Sequence, residues 1–154
     1  MFLVRDSIKQ REERIIGMID HDPAIAVLMA TANFEWVVRR AARMLSTKQN
    51  REINAILAAE HYHGLDKFKK LWKSMVPQSK ETQIHKVIRN WDQLGKAYQI
   101  RHQLIHGVKP VSKVFATKQT KTLLAAVHDI TIFCDARGID LSKRMKVRRK
   151  AVKQ

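Results

Sequence analysis

Residues 100–107 read Ile-Arg-His-Gln-Leu-Ile-His-Gly, which puts one guanidinium and two imidazoles within six positions. A guanidinium is a fixed cation with a planar fork of donors, and an imidazole titrates near neutral pH and can ligate metals. Three readings compete for Arg101, His102 and His106. They could form a reactive site. His102 and His106, spaced i, i+4, could share one Zn²⁺. Or they could be ordinary residues: an arginine whose stem lines the core edge, a satisfied core histidine, and a cation at a helix C-terminus. The metal reading is weakened because no HExxH glutamate lies between the histidines and carboxylates are scarce nearby.

A second row could carry charge chemistry. Glu35, Arg39 and Arg43 recur at i, i+4 and i+8 on the face of Trp36. Such a row reads either as a surface ion-pair ladder or as a carboxylate that orients an active-site arginine.

The elements that must position these residues are helices. Only five Gly and three Pro occur, and no stretch alternates apolar and polar residues over a strand's length, so the chain reads as all-α, a compact bundle of about five to six helices. The first helix is expected over about 2–20. Asp22-Pro23 caps and opens a second, which runs to about Leu45. A third covers about 48–61, and a short basic helix follows the break at 61–64 and runs to Pro77. Ser79 is expected to cap one long helix to about 106, with Gly107 and Pro110 as stop signals. A last helix covers about 118–136 and ends at Gly138.

With about 100° per residue along that long helix, Ile84, Val87, Ile88, Trp91, Leu94, Tyr98 and Ile105 form one apolar stripe. Arg101 and His106 then flank the stripe and His102 falls inside it, so all three are expected at or beside a buried seam. The second helix is apolar on both sides through its first half, which predicts a central position or a subunit contact.

The totals set the partners. The 154 residues carry 30 Lys+Arg against 14 Asp+Glu, a net charge of +16. Residues 1–36 hold four basic and six acidic residues, whereas 37–154 hold 26 basic and eight acidic. A field of that sign favours polyanions, above all nucleic acid. The span 1–140 reads as one domain, and 141–154 as a basic tail with seven Lys/Arg among residues 143–153. The single cysteine, Cys134, excludes an intrachain disulfide framework and fits a reducing, cytoplasmic setting. It follows Leu123, Val127 and Ile130 at helical spacing and reads as core rather than nucleophile. No signal peptide or membrane span is expected. His61 and His63 read as polar loop residues. Trp72, with Lys67, Lys69, Lys70 and Lys73 around it, could contact RNA, but it is expected to pack inward with Phe68.

An all-α chain with Arg-x4-His late in a long helix resembles the HEPN superfamily. Arg101-His102-Gln103-Leu104-Ile105-His106 matches the family signature, with His102 in its polar slot and Gly107 following. In architecture the resemblance covers about residues 23–136. It implies a metal-independent endoribonuclease that needs no cofactor and acts as a homodimer with its active site at the interface. His106 would be the general base or acid on the ribose 2′-hydroxyl, and Arg101 would hold the scissile phosphate. The products would carry a 2′,3′-cyclic phosphate and a 5′-hydroxyl, and DNA would be spared. His102 would support the geometry, and Glu35 is the candidate for the acidic residue that family members place near the arginine. Arg39, Arg43, Lys96 and Lys109 are the expected RNA contacts. The family suggests a toxin or antiviral effector with an antitoxin or defence partner. One departure is Val108, where members modified by a nucleotidyltransferase antitoxin have tyrosine.

The helical period supports the dimer separately. Arg101 and His106 differ by about 140° around one helix, an awkward presentation to one phosphate, whereas a two-fold axis would pool two copies of each. Two alternatives remain: a HEPN-like module that binds RNA, nucleotide or a partner without catalysis, and a basic helical nucleic-acid-binding protein of another kind.

Overall fold

Ser7 sets the start of the first helix. Its hydroxyl accepts from the Gln10 N–H at 3.2 Å while the Gln10 side chain accepts from the Ser7 N–H at 2.8 Å, a reciprocal cap that satisfies two otherwise open donors. In the computed structural model, α1 therefore spans Ile8–His21 and not the whole stretch from residue 2. The structure describes residue 2 and residues 6–59, 64–107 and 110–144.

The rest is helical as well, with no strand among the described residues. α2 runs Pro23–Leu45, α3 Asn50–Ala59, α4 Leu65–Met75, α5 Ile84–Val87, α6 Leu94–His106 and α7 Lys113–Asp135, with a 3-10 turn at Trp91–Gln93. The Asp22 carboxylate accepts from the N–H groups of Ala24 and Ile25, and Pro23 fills the first helical position, where a missing N–H costs nothing. α7 starts at 113 rather than about 118 because the Ser112 hydroxyl takes the Phe115 N–H and caps it earlier.

α2 is central: α1, α4, α6 and α7 all pack against it, and α7 does so most extensively. The residues that make this possible are small or apolar over a wide arc, from Ala26, Val27 and Ala30 through Phe34, Val37 and Val38 to Ala41 and Ala42, all fully buried. Phe34 meets the Phe68 ring of α4 and the Tyr98 ring of α6 edge to face, at 6.3 and 6.4 Å between centroids. A smaller cluster of Val27, Ile100 and Ala116 joins the start of α2, the second half of α6 and the start of α7. On the outer side of α2, two guanidinium groups lie over the Trp36 ring, Arg11 at 3.9 Å and Arg40 at 5.1 Å from its centroid. Arg40 also donates to the carbonyls of Leu141 and Lys143, and Leu141 is buried in the core. The root of the basic tail is thus fastened to the bundle, while the rest of that tail lies outside the described residues.

The single long helix expected from Ser79 to 106 is not formed. Residues 77–83 make a turn in which the Thr82 hydroxyl donates to the Pro77 carbonyl at 2.8 Å and accepts from the Ser79 N–H at 2.7 Å. After α5 the chain breaks again, for a tertiary reason. Asp129 of α7 accepts the backbone N–H of Arg89 at 2.9 Å and binds the Arg89 guanidinium at 2.9 and 2.7 Å. In a continuous helix that N–H would serve the carbonyl four residues back. Asn90 donates to the Thr122 carbonyl at 3.2 Å and holds the other side of the break.

Candidate functional site

The break resets the angular phase of α6, and this changes which face of the motif is buried. Leu94, Ala97 and Ile100 are the buried residues of α6, and Leu104 is half-buried. Their arc is turned by about 100° from the stripe that a continuous helix would have. Ile105, expected in the seam, is 53 % exposed. His102, expected inside the seam, is exposed, and so is His106. Arg101 is half-buried, on the edge of the real seam. The two imidazoles meet on the open face, with centroids 4.4 Å apart and planes at 49°. Gly107 ends the helix at φ +61°, a left-handed turn that suits glycine, and its N–H donates to the Gln103 carbonyl.

On the inner flank Arg101 belongs to a polar cluster. The Tyr98 hydroxyl donates to the Glu35 carboxylate at 3.3 Å. Burial pushes the Tyr98 hydroxyl far above its ordinary range, and the Glu35 charge and hydrogen bond push it the same way; Arg101 and Arg39 act in the opposite direction. The Tyr98 hydroxyl and the Glu35 carboxylate thus meet between α2 and α6, and the charges of Arg101 and Arg39 act on that pair. Tyr98 falls in the apolar stripe by sequence, and the signal for its polar role is its place three residues before Arg101, on the neighbouring turn of the helix. A phenol held neutral in this way keeps its proton for Glu35 and gives the carboxylate a fixed orientation.

The row on α2 divides among different neighbours. Glu35 serves Tyr98, Arg39 lies 5.5 Å from the Phe68 ring, and Arg43 donates to the Asn54 side chain at 3.3 Å. Lys96 is exposed on α6, whereas Lys109 and Val108, like His61 and His63, lie outside the described residues. Among the described residues no group of three His, Cys, Asp or Glu is arranged to hold a metal ion, and no helix is long and apolar enough to cross a membrane. Cys134 is fully buried, and burial pushes its thiol up to about 12.

Several apolar side chains stay exposed at the end of the bundle that carries the histidines. Ile105 of α6, Ile25 of α2 (43 %), and Val114 (81 %) and Phe115 (41 %) of α7 belong to the helix ends that the Val27–Ile100–Ala116 cluster joins.

Comparison of the chain with protein-family models, with curated proteins and with solved structures returned no match.

Proposed function

We propose that the chain is a metal-independent endoribonuclease of the kind that its Arg-x4-His motif resembles, acting on RNA as a homodimer. The observation that carries this reading is the division of α6 into two flanks. Arg101 sits half-buried on the inner flank, where its charge acts on the hydrogen-bonded Tyr98–Glu35 pair, and two imidazoles 4.4 Å apart are open to a ligand on the outer face.

In this reading His106 removes the proton from a ribose 2′-hydroxyl. The 2′-oxygen attacks phosphorus, the bond to the 5′-oxygen breaks, and that oxygen leaves with a proton from a second imidazole. The products are a 2′,3′-cyclic phosphate and a 5′-hydroxyl. Arg101 neutralises the charge that builds on the non-bridging oxygens. Arg101 and His106 of one copy face apart by about 140°, so the phosphate is shared between two copies. The exposed apolar side chains around Ile105 supply a surface on which a second copy can seat. A toxin or antiviral role, with an antitoxin or defence partner, rests on the resemblance alone.

RNA incubated in EDTA with the purified protein tests this. His106→Ala is expected to lower cleavage by at least about 100-fold, as loss of a general acid or base does, and the wild-type products are expected to end in cyclic phosphate. Equal cleavage by both proteins removes the catalytic assignment.

One observation favours a second reading, a binding module without catalysis. Arg101 is half-buried near the part-buried Tyr98–Glu35 hydrogen bond, which suits a structural arginine. Thermal unfolding separates the two readings. A structural Arg101 is expected to cost about 1–3 kcal/mol on replacement by alanine if buried polar partners are orphaned; a catalytic one is replaced at little cost or with a gain.

A further inference from the structure

Away from α6, a pocket of about 270 Å³ opens between α4 and α5. Lys69 and Lys73, one turn apart, enter it from α4, Gln78 and Gln83 from the connecting turn, and His85 from α5. Its floor includes Trp72, whose side chain is otherwise part of the core, only 1 % exposed. No lining residue carries a carboxylate.

The walls are set before anything binds. The Trp72 indole N–H donates to the Thr82 carbonyl at 2.7 Å and ties the turn to α4. The Thr82 hydroxyl, bonded to both Pro77 and Ser79, closes that turn on itself. The Gln78 amide donates to the Val76 carbonyl at 2.6 Å, which leaves two ammonium groups, an imidazole and the Gln83 amide to select an anion, and lysine pairs suit phosphate as point charges. The volume lies just under the range of about 300–1,000 Å³ typical of small-molecule sites, which fits a phosphate with a sugar or part of a base attached.

We propose that this pocket binds the phosphate of a nucleotide, whether the nucleotide is free or one residue of a nucleic-acid strand. The site does not depend on α6 having nuclease activity, and its test avoids cleavage altogether. Inorganic phosphate and 5′-AMP are titrated into the isotope-labelled full chain, and a 2′-O-methyl RNA twelve-mer, which lacks the attacking hydroxyl, is titrated separately at several salt concentrations. Lys69→Ala/Lys73→Ala is compared with Lys118→Ala/Lys121→Ala, an equal change of charge at an open groove on α7.

The Trp72 indole N–H and the amides of Lys73, Gln83 and His85 are expected to shift with AMP and phosphate and to stop shifting in the α4 variant. RNA affinity is expected to fall about tenfold in that variant, and the salt slope to drop by about 0.7, the amount for one phosphate contact on a single strand. Loss in the AMP arm alone assigns the site to a free nucleotide, and loss in the RNA arm alone assigns it to a strand. If the α4 variant binds AMP and RNA as wild type does, or if the α7 variant loses as much, the proposal fails.

Discussion

At the scale of single residues, Tyr98 and Cys134 carry the clearest perturbation, and it has one sign. Burial is the leading cause for both, and an adjacent carboxylate adds to it: Glu35 for the phenol, Asp135 for the thiol. Both groups are more acidic unfolded than folded. Their neutral forms therefore contribute stability in full below the unfolded values, and that contribution is lost as pH rises towards the folded ones. For Cys134 the window lies between its ordinary value near 9 and about 12. The urea midpoint is accordingly expected to fall steeply above pH 9. Tyr98→Phe with Cys134→Ala is expected to flatten that fall, whatever the variant costs at neutral pH. An unchanged pH profile in the double variant would show that other groups govern alkaline unfolding. The same burial makes Cys134 a poor nucleophile, since the thiolate is the reactive form.

At the scale of elements, the break before α6 decides which side of the motif meets water. Asp129 is 7 % exposed and accepts one backbone and two guanidinium donors, all from Arg89. Asp129→Ala leaves the Arg89 N–H without its acceptor and is expected to destabilise by about 1–3 kcal/mol, an amount set by that orphaned donor and not by the exposed guanidinium. Chemical denaturation measures it, and a change below about 0.5 kcal/mol, the usual surface effect, would remove Asp129 from its role as clamp. What could be read from sequence follows the same division. α2 was legible to the residue because Asp22 and Pro23 are local signals that act on neighbouring N–H groups. The capping pair Ser7 and Gln10 is equally local and sets the first helix at Ile8, later than the start expected near residue 2. The interruption at 88–93 was not legible, because its cause sits on α7. The residue types of the site were visible in the six-residue motif. Their burial was not, because one misplaced turn shifts every later angle. Tyr98 was hidden because hydropathy counts its ring and ignores its hydroxyl.

At the scale of the whole molecule, the two flanks of α6 and the exposed apolar residues around it bear on the number of copies that work together. A proposed site split by about 140° on one helix calls for a second chain, and Ile105, half exposed next to His106, is the residue proposed to meet it. Ile105→Glu is expected to shift the protein from dimer to monomer in analytical ultracentrifugation and to abolish cleavage while thermal stability stays within about 0.5 kcal/mol, as for surface substitutions. A wild-type chain that sediments as a monomer at working concentration would end the shared-site scheme.

The Asp129 clamp has one more consequence. Arg89 and Asp129 lie 40 positions apart in the chain, so the bearing of the histidine face is imposed from outside the segment that contains it. A fragment spanning 79–107 would keep every residue of the motif and lose the aspartate that turns it. Grafting the site onto another scaffold therefore requires transplanting an azimuth along with the side chains.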